Sequence, residues 1–188
     1  MGEGSKERIS LSIYFFLLGF GFASWASRIP SIKENFDFNE AELGNLLLAM
    51  PISSLIGLPI SGWLVSKFNS RVPLFASFVV FAISLYAIGS VSRLDHLVIA
   101  VSVFSFCMRI SNITVNTQSL ALQEKRDKKI IGSFHGLWSL GGLFGALFST
   151  ILVKFKVPMI DHFLYVAIIS LLAGTLAYPF LLKKDKSD

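Results

Sequence analysis

Between Leu97 and Gln123 the chain sets polar side chains into an apolar run at intervals that only a helix makes coherent. Ser102, Ser105, Arg109, Asn112, Asn116, Ser119 and Gln123 follow one another at steps of three and four residues. At about 100° per residue they share one sector roughly 100° wide. Val103, Phe106, Ile110 and Ile113 fall outside it. The run is 27 residues long with a single charge, Arg109. At ~1.5 Å per residue it is long enough to cross a ~30 Å hydrocarbon layer. A polar stripe on such a helix lines something wet or packs on other polar helices. A cation at its mid-depth costs about 2.5–3.5 kcal/mol on insertion scales. No other uninterrupted apolar run of the chain holds an acid to pair with it. One reading is a solute pathway in which Arg109 offers its guanidinium to carboxylate, phosphate or hydroxyl oxygens. The other is a structural arginine satisfied by backbone carbonyls and the two asparagines.

Two further clusters belong beside it. His135, Trp138, Ser139 and Gly142 share a helical face, and Gly21, Ser24, Trp25 and Arg28 share another near the end of the first apolar run. A lone histidine in a membrane helix is more often a packing residue than a proton carrier. Trp25, Arg28, Arg109, Asn112, Asn116, His135 and Trp138 are therefore the candidate substrate pathway, expected to face one central cavity. Nothing has the spacing of a metal cluster, a nucleophile–base pair or a phosphate-binding glycine loop. No enzymatic activity, metal or cofactor is expected.

The elements that position these residues are legible from where the charges are missing. The chain is 53% hydrophobic and 13% aromatic, values that a rich soluble core could also give. Their distribution decides the class. Charge-free runs cover Ile9–Ser27, Leu43–Ser66, Val72–Ser92, Ile130–Val153 and Phe163–Leu182, besides the run already described. Each is long enough for a membrane helix, which predicts an all-α protein of six transmembrane helices. The expected organisation is a cytoplasmic tail over residues 1–8, a helical bundle over 9–182 and a second cytoplasmic tail over 183–188. The first run lacks the cleavage pattern of a signal peptide and is expected to be retained. Cys107 is the only cysteine, so no internal disulfide forms.

With both termini inside, eleven lysines and arginines lie on the cytoplasmic side and five on the other, while the acids divide six and six. That cation bias sets the orientation by the positive-inside rule, in a plasma (bacterial inner) membrane. The lipid bilayer and a small-molecule solute are the expected partners. No basic, aromatic-interleaved surface suggests nucleic acid.

Local signals refine the runs. Gly19, Ala23 and Ser27 form a small-residue strip on the first, and Ala49, Ser53, Gly57 and Ser61 form one on the second. The fifth run carries two Gly-x-x-x-Gly pairs, Gly132/Gly136 and Gly141/Gly145, on roughly opposite sides, as if clasped between two neighbours. Arg28-Ile29-Pro30 is expected to close the first helix. Asn39 with Glu42 is expected to form a capping box, and Pro51 and Pro59 to bend the second helix. Residues 1–7 read as a disordered tail, and the third run as a helix without chemistry.

The stretch from Gly62 to Arg71, expected as a tight inner turn, carries a resemblance. It is similar to the signature of the major facilitator superfamily between its second and third helices, Gly-x-Leu-x-Asp-basic-x-Gly-x-basic. Gly62, Leu64, Lys67 and Arg71 match, while Ser66 stands in place of the Asp and Asn69 in place of the second Gly. The resemblance implies that Gly62, Leu64, Ser66, Lys67 and Arg71 form the cytoplasmic gate loop. The Asp-centred charge network is there reduced to a hydroxyl hydrogen bond. Three further stretches resemble a bacterial branch near the fucose-permease type of sugar porter: residues 24–30 (Ser-Trp-Ala-Ser-Arg-Ile-Pro), the segment ending Val115-Asn116, and residues 134–142. That branch usually has Asp where this chain has Asn112, and small residues where it has Arg109. An amide neither takes up nor releases a proton at physiological pH, so inherited proton coupling loses its carrier. Helices 1 and 4 line the cavity in this superfamily, and its members have two six-helix halves with the site between them. The chain therefore corresponds to the N-terminal six-helix half, and its expected partner is a second copy or a separate C-terminal half. The alternatives are a truncated, non-transporting fragment or a membrane-embedded binding or regulatory protein.

Overall fold

The computed structural model describes residues 3–185, and among the described residues there are helices and turns but no strand. Each apolar run becomes a helix, because in hydrocarbon a single segment can satisfy its amides and carbonyls only internally. Helix α1 spans Glu3–Ala26, and the short α2 spans Ile29–Asn35. Then come α3 (Glu40–Lys67), α4 (Arg71–Ser90), α5 (Leu94–Arg126), α6 (Ile131–Lys154) and α7 (Met159–Ala177), which ends in a 3-10 turn at Tyr178–Phe180. Six segments are long and apolar enough to cross a membrane. The protein is an all-α, multi-pass membrane bundle.

Chain punctuation follows local chemistry. α1 stops where Pro30 approaches, and that proline then sits in the first turn of α2, where its missing N–H has no partner to lose. The capping box at the start of α3 is complete. Asn39 Oδ1 accepts from the Glu42 amide at 3.0 Å, and Glu42 Oε2 accepts from the Asn39 amide at 2.9 Å. Lys33 and Glu40 pair across the α2–α3 loop.

Three expectations need correcting. The stretch over residues 1–7, expected to be disordered, is helical from Glu3 onwards, with Met1 and Gly2 outside the described residues. Tertiary contacts hold that first turn: Arg126 Nη1 donates to the Gly4 carbonyl at 3.0 Å, and Lys125 pairs with Glu7 at 2.8 Å. Second, the segment expected as a turn over 62–71 is helical as far as Lys67, leaving Phe68, Asn69 and Ser70 to reverse the chain. Third, α4 does carry polar chemistry, since its Ser77 hydroxyl meets the Ser111 hydroxyl of α5 at 2.8 Å. The second tail is described only to Asp185.

Packing divides the helices into a covered core and two uncovered flanks. α1 lies along α6, α4 is sandwiched by α5 and α7, and α3 lies mainly on α5. Fully buried rings of Tyr14, Phe78, Phe81, Phe104, Phe134 and Phe163 fill the middle. Hydroxyls stitch helix to helix there: Tyr14 donates to the Gly174 carbonyl at 2.7 Å, and Ser10 to the Ala177 carbonyl at 2.7 Å. The α1–α6 crossing is a backbone-to-backbone contact. A Cβ on Gly141 would sit 2.0 Å from the Phe16 carbonyl oxygen, and one on Gly19 would sit 2.0 Å from that of Trp138. Of the two glycine pairs on α6, only Gly141/Gly145 is met by a neighbour. A Cβ on Gly132 or Gly136 would meet nothing within 4 Å. In the most apolar 18-residue window of α3 only 11% of residues are buried, and in that of α6 only 17%, against 61% in the first segment. These two helices are the least covered of the six membrane segments.

Candidate functional site

Arg109 owes its position to a glycine. Gly57 of α3 faces α5, and a Cβ there would come within 3.2 Å of Arg109 Cγ. The missing side chain makes a trough for the arginine stem. One turn back on the same face of α3, Ser54 Oγ accepts from Arg109 Nε at 2.7 Å. A turn earlier again, Ser105 Oγ donates to the Met50 carbonyl at 2.8 Å. The small-residue strip of α3 and the polar stripe of α5 are therefore two sides of one seam. Among the described residues no carboxylate lies within ion-pair distance of Arg109. Its charge is met by one hydroxyl, and the guanidinium stays half-buried.

The seam opens into a cavity of about 220 Å³ between α1, α3 and α5. Arg109, Asn112, Ser105 and Met108 supply one wall, Met50, Pro51 and Ser54 a second, and Phe22 the third. Phe22 connects the cavity to α6, because its ring stacks on Trp138 with centroids 6.3 Å apart. On its other side Phe22 meets Trp25 at 5.9 Å, and Trp25 meets Phe104 at 5.7 Å. The result is a cationic and amide-bearing wall facing an aromatic one.

The structure brings some of the sequence-predicted residues together and separates others. Arg109 and Asn112 line the cavity, and Trp138 joins it through Phe22. Trp25 is only 3% exposed and stands behind Phe22 as a core ring, its Nε1 buried without a partner among the described residues. Asn116 lies one turn along α5, outside the cavity lining, and donates from Nδ2 to the Asn112 carbonyl at 2.7 Å. His135 is exposed, touches the Phe15 ring edge-on at 5.6 Å and does not line the cavity.

Arg28 corrects the expectation of a single shared cavity most sharply. It is 5% exposed and committed to the interior at the α6–α7 end of the bundle. Its Nε donates to His162 Nδ1 at 3.0 Å and its Nη2 to the Val157 carbonyl at 2.8 Å. His162 Nε2 lies 3.3 Å from Ser149 Oγ, whose own proton goes to the Gly145 carbonyl at 2.8 Å. That leaves Nε2 as the histidine's donor and Nδ1 as its acceptor. The arginine is a clamp across α1, α6 and α7.

At the other end of the bundle the signature residues sit on α3 and its exit. Ser66 Oγ donates to the Trp63 carbonyl at 2.8 Å. Lys67 Nζ lies over the Trp63 ring, 5.0 Å from its centroid, and the Arg71 guanidinium lies over Tyr178 at 4.4 Å. Leu64 is half-buried, and a Cβ on Gly62 would meet nothing within 4 Å. The residues that tie this corner together are others. Gln118 Nε2 donates to Ser70 Oγ and to the Leu182 carbonyl, both at 3.0 Å, and its Oε1 accepts from the Leu182 amide at 3.1 Å. Asp185 accepts from the Ser70 amide at 3.0 Å. A carboxylate thus does serve this loop, supplied from beyond α7 and directed at Ser70. Gln118 was findable: with Ser111 and Thr114 it makes a second polar line on α5, roughly opposite the Arg109 stripe at about 100° per residue.

The Major Facilitator Superfamily profile matches residues 11–188. The chain is 31% identical over 143 residues to an uncharacterized MFS-type transporter of Yersinia pestis, covering 76% of this chain and 37% of that protein. It is 32% identical over 169 residues to the uncharacterized transporter y4wD of Sinorhizobium fredii, covering 89% and 44%. To membrane protein MosC of Rhizobium meliloti it is 30% identical over 145 residues, covering 77% and 36%. Its fold matches the crystal structure of the nucleoside transporter NupG with a TM-score of 0.71 at 17% identity, over 96% of this chain and 43% of that one. The chain therefore spans less than half the length of each of these relatives. A profile match running through all six membrane segments, with relatives above 30% identity, carries the conclusion that the chain belongs to the Major Facilitator Superfamily.

Proposed function

We propose that this chain forms one wall of a secondary transporter for a small polar or anionic organic solute, sugar-like or an organic acid. The observation that carries the reading is Arg109. A membrane cation without a carboxylate partner among the described residues, held by Ser54 and Gly57, borders a cavity with Asn112 on one side and Phe22 on another. Such a cation favours a ligand that brings its own oxygens, preferably charged ones. The Phe22–Trp138 pair offers a flat apolar surface to the less polar face of a ring. The likeness of residues 24–30 and 134–142 to the fucose-permease branch supports a sugar-like skeleton.

The cavity borders α3, one of the two least covered helices, and superfamily transporters hold solute between two six-helix halves. The opposite wall is then a second six-helix half: a second copy or a separate C-terminal half. A twofold axis would bring two copies of Arg109 together, which favours a non-identical half bearing an acid, or a bound anion. Gly62, Leu64, Ser66, Lys67 and Arg71 belong to the cytoplasmic gate of that assembly, with both chain ends in the cytoplasm of a bacterial inner membrane.

The test is uptake of a panel of hexoses, hexuronates and small carboxylic acids by cells expressing the gene in its native context, with and without Arg109→Gln. One class should be accumulated. The variant should reach the membrane at normal levels and lose about ten- to a hundredfold in apparent affinity, the worth of a hydrogen bond to a charged group. Uptake with unaltered affinity in the variant would make Arg109 structural.

A further inference from the structure

A second recess lies far from the Arg109 cavity, where the start of α1, the end of α5 and the segment after α7 converge. Its volume is about 440 Å³, and four lysines line it: Lys6, Lys125, Lys183 and Lys184. Glu7 is the single carboxylate of the lining, and its Oε1 is taken by Lys125 at 2.8 Å. Among the described residues Lys6, Lys183 and Lys184 have no carboxylate within ion-pair distance. Among the described residues three cations thus converge on a concave surface without a carboxylate partner, Lys6 lying 5.9 Å from the centroid of the Phe180 ring, and all three are exposed.

The recess does not end in solvent on every side. Lys6 and Phe180 also line an apolar groove of about 300 Å³ running between α1 and α7, walled by Ile9, Ile13 and Leu176. The one hydroxyl on that wall, Ser10, is already spent on the Ala177 carbonyl at 2.7 Å. Ile9 and Leu176 face outward, Leu176 with 74% of its surface exposed. A basic recess opening directly into a groove without free polar groups suits a ligand with an anionic head and a hydrocarbon tail. A soluble anion would use only the first part.

We propose that this is a binding site for an anionic phospholipid of the adjoining leaflet, with its phosphate among Lys6, Lys183 and Lys184 and one acyl chain along the α1–α7 groove. Basic pockets at the membrane surface between helices are suited to such headgroups. Glu7 sharpens the choice. Its Oε2 is buried without a hydrogen-bond partner among the described residues, and a headgroup hydroxyl, as in phosphatidylglycerol, would supply the missing donor. The site is independent of the solute and of which side of the membrane the termini occupy.

Native mass spectrometry of the full chain in mild detergent tests this, with phosphatidylglycerol or phosphatidylcholine of matched acyl chains. The expected result is one phosphatidylglycerol retained per chain and phosphatidylcholine readily lost. Lys183→Gln with Lys184→Gln should weaken that retention on the order of tenfold. Lys154→Gln with Lys156→Gln, two exposed cations at the opposite end, should retain the lipid as the unaltered chain does. Equal retention of the two lipids, or unchanged retention in the Lys183/Lys184 variant, would overturn the site. Displacement of the lipid by excess inorganic phosphate would assign the recess to a soluble anion and overturn the lipid reading.

Discussion

At the scale of single residues, the chain's polar groups fall into those that hold helices together and those that remain available. Gln118 belongs wholly to the first kind, using both ends of its amide to join α5 to Ser70 and Leu182. Its three bonds, at about 0.6 kcal/mol each for interhelical hydrogen bonds in membranes, predict a cost of about 2 kcal/mol for Gln118→Leu. Reversible unfolding in mixed micelles should read that loss, and a change within error would show the corner to be held by Asp185 and packing alone. Arg109 belongs to the second kind, since one serine hydroxyl satisfies only one edge of a five-donor guanidinium. Sequence spacing could identify Arg109 and Asn112 because both break an apolar run at helical steps. It could not sort Arg28 from them. What makes Arg28 structural is His162 and Val157, more than a hundred residues away in sequence and adjacent only in the fold. Phe22 escaped for the opposite reason: an apolar residue in an apolar run carries no signal until its neighbours are known.

At the scale of elements, small residues decide which helices approach. α1 and α6 touch through backbone at Gly19, Gly141 and Gly145. Gly141→Ala should cost about 1–3 kcal/mol, as overpacking does in a well-filled interior. Gly136→Ala on the same helix meets nothing. It should be neutral or stabilising by up to about 1 kcal/mol, because alanine is the better helix former. Paired unfolding measurements on the two variants check this contrast, and equal effects would mean the close crossing is absent. The Gly-x-x-x-Gly arithmetic found both pairs correctly as glycines on a helix. It could not say that one pair would lack a neighbour, because that depends on where α3 and α6 end up. The helices themselves were legible from charge-free runs, and the Asn39–Glu42 cap from its spacing. The beginning of α1 was not, since Arg126 and Lys125 hold it from across the bundle.

At the scale of the whole molecule, α1, α4, α5 and α7 make the more covered part of the bundle, and the Arg109 cavity sits beside the sparsely covered α3. The cation bias predicts that both chain ends lie in the cytoplasm. Cysteines introduced at Asn35 and Lys156 should therefore react with an impermeant thiol reagent from outside, and one at Lys128 only after the membrane is opened. All three positions are exposed, and labelling of Asn35 and Lys128 from one side would contradict the topology. The central claim is that the α5 stripe borders an aqueous path, and one accessibility comparison tests it most directly. In membranes expressing the gene in its native context, Asn112→Cys is compared with Leu172→Cys, an outward-facing α7 position 62% exposed, using a small charged methanethiosulfonate. Buried Cys107, 6% exposed, serves as the internal background. The account predicts rapid modification at position 112 and none at 172. Silence at both positions would place the stripe in lipid or in dry packing and contradict it.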